Sequence, residues 1–169
     1  VGTMANLRPE KGVADFLRAA GLVRERCPEV RFVVWGDGPL RPEMERLVQD
    51  LGLGGMIELR GSTIRPETAL RELDVFVLAS LSEACSNVLL EAMATGLPVL
   101  STRVSAIPEV VVDEETGVLV PPAQVDSHAT AMLRLAADPA LRKGFGERGR
   151  ALVREKFMLD RMTDETIAA

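Results

Sequence analysis

The chain alternates short apolar runs of strand length with longer segments in which apolar residues recur at helical spacing. The predicted strands are Val1–Ala5, Arg31–Trp35, Met56–Leu59, Asp74–Leu78, Pro98–Ser101 and Gly117–Val120. The predicted helices are Val13–Glu25, Pro42–Leu51, Pro66–Leu73, Asn87–Thr95, Asp126–Ala137 and Ala140–Glu155. Strands joined through helices need crossover connections, which make a sheet parallel and cover both of its faces. The order therefore predicts a doubly wound α/β domain with a parallel sheet of about six strands.

Such sheets bind ligands beyond the carboxyl ends of their strands, where the loops that lead into the helices gather. Five loops are predicted at that edge: Asn6–Lys11, Gly36–Leu40, Gly61–Arg65, Ala79–Asn87 and Thr102–Pro108. We expect these loops to converge on one crevice.

Charge and composition limit what that crevice can bind. With 47% apolar residues the chain should form a true core. Its 25 acidic residues outnumber 20 basic ones and both are spread along the chain, which argues against a nucleic-acid surface and favours a small, locally bound anion. Cys27 and Cys85 are expected to be free thiols, since no Cys/His cluster predicts zinc.

The targeting features of the sequence predict a cytoplasmic protein. No apolar stretch approaches the roughly 18 residues of a membrane span, and no signal sequence follows Val1. Because the chain opens on a strand without an initiator Met, we expect a piece of a longer protein.

The loop after the first strand has the outline of a phosphate site. Arg8 and Lys11 precede a helix whose free N-terminal amides favour anions, although two surface charges at a helix start remain the alternative. A dinucleotide site is disfavoured because the loop lacks G-x-G-x-x-G. In the next loop, Gly36–Pro39 is typical of a tight turn, with Gly36 lining the crevice as the alternative.

The segment from Ser82 to Val99 carries two carboxylates around a helix start. Ser86 or Asn87 is predicted to cap a helix that ends at Gly96, which places Glu91 on its first or second turn near the buried face. A carboxylate there can accept two hydroxyls of a ribose or hexose diol, while the first amides of the helix face an anion. An ion pair with a nearby arginine is the alternative for Glu91.

Glu83 and Glu91, with seven residues between them, resemble the E-x7-E segment of the retaining GT-B glycosyltransferases called group 1 or family 4. The resemblance continues through Arg8–Gly12, Gly36–Pro39, Leu73–Val77, Ile107–Val110 and Thr116–Pro122. It implies that residues 1–169 form the C-terminal, Rossmann-like domain that binds a nucleoside-diphosphate sugar, with the N-terminal acceptor-binding domain absent.

The resemblance also implies roles for individual residues. Lys11 would contact the diphosphate, Glu91 the ribose, and Glu83 the donor sugar. The implied donor-binding set is Lys11, Arg8, Gly36, Ser62, Thr63, Glu83, Ala84, Cys85, Ser86, Asn87, Val88 and Glu91, with Lys11, Arg8 and Glu83 as its catalytic members and the loop at 62–63 against the base.

The chain departs from the family pattern in three places. Asn6 stands where the family usually has an arginine, which leaves open whether Arg8 serves the phosphate instead. Ala84 and Cys85 stand where a glycine and a larger apolar residue are frequent, and residues 105–106 lack a common glycine pair. These departures concern the identity of the sugar more than nucleotide binding.

The implied reaction is transfer of a sugar without a metal ion, because no two aspartates are spaced as in the metal-binding D-x-D motif. Lys11, Arg8 and the amides at 86–88 are expected to stabilise the departing diphosphate instead. No cofactor is expected, and the isolated domain should be inactive. The acceptor would be a glycan or a lipid-linked glycan, with the full-length protein cytoplasmic or peripheral at the inner face of the membrane. His128 is expected to be a surface or packing residue.

Three alternatives share this scaffold. They are a nucleotide-sugar 2-epimerase, a phosphorylase-type GT-B enzyme and a non-catalytic nucleotide-sugar-binding module.

Overall fold

The computed structural model describes residues 1–83 and 86–157. The strands are β1 Gly2–Met4, β2 Phe32–Trp35, β3 Ile57–Arg60, β4 Phe76–Leu78, β5 Val99–Thr102 and β6 Gly117–Val120. The helices are α1 Val13–Arg26, α2 Arg41–Asp50, α3 Pro66–Leu70, α4 Asn87–Thr95, α5 Ile107–Val110, α6 Val125–Ala137 and α7 Pro139–Lys156. The sequence did not predict α5 or a single 3-10 turn at Pro9–Lys11. Helix α3 is shorter than predicted, because the Leu73 amide closes a turn on the Leu70 carbonyl at 3.1 Å.

The sheet has the order β3-β2-β1-β4-β5-β6, and every neighbouring pair is parallel. The predicted doubly wound α/β architecture is therefore confirmed. The chain moves outward from β1 to β3 and then returns to place β4 on the other side of β1. The loops after β1 and β4 consequently leave the sheet toward opposite faces and open a gap between them, which is where ligands bind in such folds.

The sheet is buried on both faces, as its crossovers require. Successive residues of β4 and the residue before it point to opposite sides: Val75 and Val77 join one apolar cluster, while Phe76 and Leu78 join the other. Helices α1 and α6 supply the first cluster and α3 and α4 supply the second. This alternation explains why β4 is a continuous apolar run, whereas the edge strand β3 alternates apolar residues with Glu58 and Arg60.

Helices α4 and α7 meet at a contact that only a glycine allows. A Cβ atom added to Gly146 in α7 would lie 2.0 Å from the carbonyl oxygen of Gly96, the residue at which α4 ends. A real Cβ cannot approach an oxygen that closely, so the spacing of the two helices depends on the missing side chain.

Two further sequence expectations can be compared with the described residues. Cys27 is a free thiol, whereas Cys85 lies outside the described residues. Within 1–83 and 86–157, no helix is both long enough and apolar enough to span a bilayer.

We expect Gly146→Ala to lower the free energy of unfolding by about 1–3 kcal/mol, because the added methyl group must push α7 away from α4. The matched control is Gly21→Ala in the interior of α1, whose added Cβ would meet its nearest atom at 3.8 Å. That control should gain roughly 0.5–1 kcal/mol from helix propensity. Urea denaturation followed by circular dichroism measures both, and equal stabilisation of the two variants would contradict the close α4–α7 contact.

Candidate functional site

A cavity of about 450 Å³ opens at the carboxyl edge of the sheet, beside the gap between β1 and β4. The sequence-predicted site residues in its wall are Lys11, Gly36, Ser62, Thr63, Glu83, Ser86, Asn87 and Val88. They come from four of the five loops that were expected to converge. The fifth, Thr102–Pro108, contributes no residue to this wall, so that expectation is corrected: the cavity ends at the loop after β4.

An ion pair between the loops after β1 and β4 forms part of the cavity wall. The Lys11 Nζ atom donates to Glu83 Oε2 at 2.8 Å, although the two residues are 72 positions apart. Lys11 keeps 24% of its side-chain surface exposed, while Glu83 keeps only 8%. A cation and a carboxylate thus face the same cavity, with the cation the more accessible of the two.

Main-chain contacts hold these two loops together. Gly12 has φ of +62°, and a Cβ atom there would lie 1.9 Å from the Ala79 carbonyl oxygen, so the loop after β1 touches the end of the β4 segment. The Leu81 amide donates to the Glu10 carbonyl at 2.8 Å and closes the contact from the other side. The position of the ion pair therefore follows from backbone packing.

Glu83 has a second donor behind it. The Ser80 hydroxyl donates to the same Oε2 atom at 3.0 Å, and the Ser80 carbonyl accepts from the Thr102 hydroxyl at 2.5 Å. Within the described residues Glu83 Oε1 accepts no hydrogen bond. One carboxylate oxygen is therefore held by the protein while the other remains able to accept.

The wall of the cavity also contains the start of α4. Ser86 precedes the helix in an extended conformation and makes no side-chain capping bond, which corrects the expectation of a capping side chain at this end. The amides of Asn87 and Val88 donate no hydrogen bond within the described residues. Unpaired amides at a helix start attract anions, so this wall complements the ammonium group of Lys11.

The loop after β2 both forms a turn and lines the cavity. The Arg41 amide donates to the Gly38 carbonyl at 3.0 Å, which closes a tight turn, and Asp37 Oδ1 accepts from the Gly38 amide at 2.8 Å. Gly36 lies in the cavity wall, and its amide contacts the carbonyls of Arg60 and Gly61 at 3.2 Å each. Both sequence interpretations of Gly36–Pro39 therefore apply.

The structure does not bring Arg8 into the cavity. Its amide donates to the Asn6 carbonyl at 2.9 Å, so the chain bends sharply at Leu7. Asn6 lines the cavity, whereas Arg8 lines a separate hollow of about 270 Å³ that also contacts Leu40 and Leu81. Among the described residues, Lys11 is consequently the one basic side chain in the cavity wall.

Glu91 is exposed, and the expectation that it lies near the buried face is wrong. Leu89, Ala92 and Met93 occupy the buried stripe of α4, which leaves Glu91 on the outer side with Asn87 one turn before it. Glu91 borders a shallow surface hollow next to the start of α3 instead of the main cavity. It makes no hydrogen bond or ion pair with the described residues.

Other sequence-predicted residues lie outside the cavity or outside the described ranges. Ala84 and Cys85 belong to the second group. His128 is fully buried in α6 with its Nδ1 atom 2.9 Å from the Gln124 carbonyl, which confirms the packing interpretation. In residues 1–83 and 86–157, His, Cys, Asp and Glu side chains form no group of three that could hold a metal ion.

Sequence reasoning missed Trp35, which lines the cavity as the last residue of β2. The Arg60 guanidinium lies 4.8 Å from the centre of its ring, a cation–π contact. Hydrogen bonds to Glu72 and Glu58 raise the pKa of Arg60 above its ordinary value, so it stays charged. The available signal was that the chain's single tryptophan directly precedes the first glycine of the second loop.

A family model and a curated relative assign the chain to the same protein family. Residues 1–138 match the family model described as glycosyl transferases group 1. The chain is 32% identical over 166 residues to alpha-D-kanosaminyltransferase of Streptomyces kanamyceticus, covering 96% of this chain but 42% of that protein. The chain thus spans less than half of that relative.

Solved structures agree with the family match. The C-terminal domain of LpcC, a group 1 glycosyltransferase family protein of Francisella tularensis, superposes with a TM-score of 0.84 at 30% identity, covering 94% of this chain and 86% of that one. TarM of Staphylococcus aureus, in a complex that includes UDP, superposes with a TM-score of 0.93 at 22% identity, covering 99% of this chain and 34% of that one.

A double-mutant cycle on Lys11→Met and Glu83→Gln should give a coupling free energy of about 1–2 kcal/mol, because removing one partner leaves the other largely desolvated. The matched control is the Arg41–Glu45 ion pair of α2, in which Arg41 Nε lies 2.9 Å from Glu45 Oε1. The side chains of Arg41 and Glu45 are 28% and 51% exposed. Its cycle should give less than about 0.5 kcal/mol. Urea unfolding of the single and double variants measures the coupling free energy of each pair. Equal coupling in the two pairs would contradict the partial burial of the Lys11–Glu83 pair.

Proposed function

The chain belongs to the group 1 glycosyltransferases, and from that premise we propose that its crevice binds the nucleoside-diphosphate sugar donor of a transferase. The observation that carries the proposal is the meeting of Lys11, Glu83 and the free amides of α4 around one cavity. These groups complement, in one place, an anion and a hydroxylated sugar. The acceptor site belongs to the part of the protein beyond this chain.

The diphosphate is proposed to lie between Lys11 and the start of α4. Lys11 is the more exposed partner of its ion pair and can turn its ammonium toward a phosphate. The amides of Asn87 and Val88, in the wall of the same cavity, supply further donors. TarM, a protein of the same fold, was solved in a complex that includes UDP, a nucleoside diphosphate.

The hydroxyl groups of the donor are proposed to meet the two glutamates. Glu83 Oε1, which accepts no hydrogen bond from the described residues, can take a hydroxyl of the sugar. Asn87 lies in the cavity wall, and Glu91 lies one turn farther along the outer side of α4. A ribose that extends out of the cavity along this helix would reach Glu91. Ser62 and Thr63, at the far side of the wall, are then left to contact the base.

The chemical contribution of this domain is stabilisation of the leaving group. Negative charge builds up on the diphosphate as its bond to the sugar breaks, and Lys11 with the α4 amides is proposed to stabilise that charge. We propose that transfer is metal-independent, supported by the lack of a D-x-D spacing, and that it retains the configuration of the sugar, supported by the sequence resemblance. The chain alone should bind donor and transfer nothing.

The acceptor and the location of the whole protein are proposed on the same family basis. A glycan or lipid-linked glycan is the proposed acceptor. The full-length protein is proposed to act in the cytoplasm or at the inner face of the membrane.

We expect a thermal-shift panel on the 169-residue chain to show stabilisation by one class among UDP-, GDP- and ADP-sugars. In that class Lys11→Met should weaken binding by about tenfold or more, because a charge-assisted contact to the diphosphate is lost. Lys143→Met, on the exposed side of α7, is the matched control and should bind as the wild type. The donor-site assignment fails if Lys11→Met binds every nucleotide as tightly as Lys143→Met.

Glu83→Gln should reduce the preference for the nucleotide sugar over the free nucleotide by about tenfold. The variant loses the carboxylate that accepts sugar hydroxyls, and it releases Lys11 to the diphosphate of either ligand. Calorimetric titration with UDP-glucose against UDP, and with GDP-mannose against GDP, measures the ratio. A preference that survives in full would remove Glu83 from sugar recognition.

A further inference from the structure

We propose that Ser80 and Thr102 are positioning residues that fix Glu83 Oε2 against Lys11 and thereby leave Glu83 Oε1 to the donor sugar. The proposal rests on the donor-binding function proposed for the crevice, but the geometry it invokes belongs to the protein without ligand. No sequence feature pointed to either residue.

The contacts form a continuous chain from the sheet to the cavity. Thr102, the last residue of β5, donates its hydroxyl proton to the Ser80 carbonyl at 2.5 Å. Ser80, which follows β4, donates its own hydroxyl proton to Glu83 Oε2 at 3.0 Å. Lys11 donates to the same oxygen at 2.8 Å. Two neighbouring strands are thus connected to the carboxylate through two hydroxyls.

Both hydroxyl residues are buried where a polar group needs a partner. Ser80 and Thr102 each have 0% of their surface exposed, and each uses its single hydroxyl proton in this chain of contacts. Glu83 itself is 8% exposed, so its charge also depends on fixed donors. The arrangement satisfies three buried polar side chains at once.

Neither hydroxyl residue lies in the cavity wall. Glu83 lines the cavity, whereas Ser80 and Thr102 lie behind it. Any effect they have on a ligand must therefore pass through the orientation of the Glu83 carboxylate. With Oε2 held by Ser80 as well as by Lys11, the carboxylate cannot turn away from Lys11.

Loss of this support has a specific expected signature. Without the Ser80 hydroxyl, the carboxylate can turn, so Lys11 is covered less well and the hydroxyl-accepting oxygen is no longer fixed. Binding of free nucleotide should be kept or improved, while binding of the nucleotide sugar should weaken. A general loss of stability would instead weaken both ligands alike.

The first test needs no ligand. The chain has lysines only at 11, 143 and 156, so competitive acylation with acetic anhydride, read by mass spectrometry, compares Lys11 with Lys143 in the same molecule. Ser80→Ala should raise the labelling of Lys11 about five- to tenfold relative to Lys143. Unchanged relative labelling overturns the proposal, since the carboxylate would then be held without Ser80.

Thr102 offers a matched pair of variants. Thr102→Val keeps the shape but removes the hydroxyl, whereas Thr102→Ser keeps the hydroxyl. Thr102→Val should shift Lys11 labelling in the same direction as Ser80→Ala, and Thr102→Ser should restore the wild-type value. Identical labelling in the two variants overturns the role of Thr102, and this pair also decides the question if Ser80→Ala does not fold.

Titration with UDP and UDP-glucose then separates this inference from the proposed function. Ser80→Ala is expected to lower the UDP-glucose preference by about fivefold while leaving UDP affinity at or above the wild-type value. Equal loss for both ligands overturns the positioning role. If the wild-type chain binds neither these ligands nor GDP and GDP-mannose, the donor-binding function fails, while the lysine labelling still decides whether Ser80 and Thr102 position Glu83.

Discussion

The parallel crossover sheet is the constraint on which the rest of the molecule depends. Because every strand runs in the same direction, every loop that leads from a strand into a helix lies at one edge. Because β4 returns to the side of β1, the loops after these two strands meet although Lys11 and Glu83 are 72 positions apart in the sequence. The site is thus a consequence of strand order, and its charged groups are gathered by topology.

The ion pair in the cavity wall explains how this edge of the sheet can hold a buried carboxylate. A glutamate that is 8% exposed is costly unless donors surround it, and here Lys11 and Ser80 both point at one of its oxygens. The same arrangement divides the carboxylate into a structural oxygen and an accepting oxygen. In the proposed donor site, stability and recognition therefore depend on different oxygens of the same side chain.

Much of the fold could be predicted from the sequence, because periodicity and the turn residues are local signals. Helix Asn87–Thr95 and strand Gly117–Val120 have the predicted bounds. The predictions failed where the direction of a side chain depends on one particular contact, whether near or distant along the chain. Arg8 points away from the cavity because a hydrogen bond between its amide and the Asn6 carbonyl bends the loop. Glu91 is exposed because Leu89, Ala92 and Met93 form the side of α4 that packs on the sheet. Ser80 escaped notice because its partner, Thr102, lies on another strand.

The contact between Gly12 and the Ala79 carbonyl has a consequence for how such a crevice can diversify. It fixes the separation of the two charged loops through main-chain atoms, so that separation does not depend on the size of the surrounding side chains. Residues farther along the wall, such as Trp35 and Thr63, are not needed to hold the loops apart. A backbone junction of this kind allows those residues to be exchanged without rebuilding the charged centre.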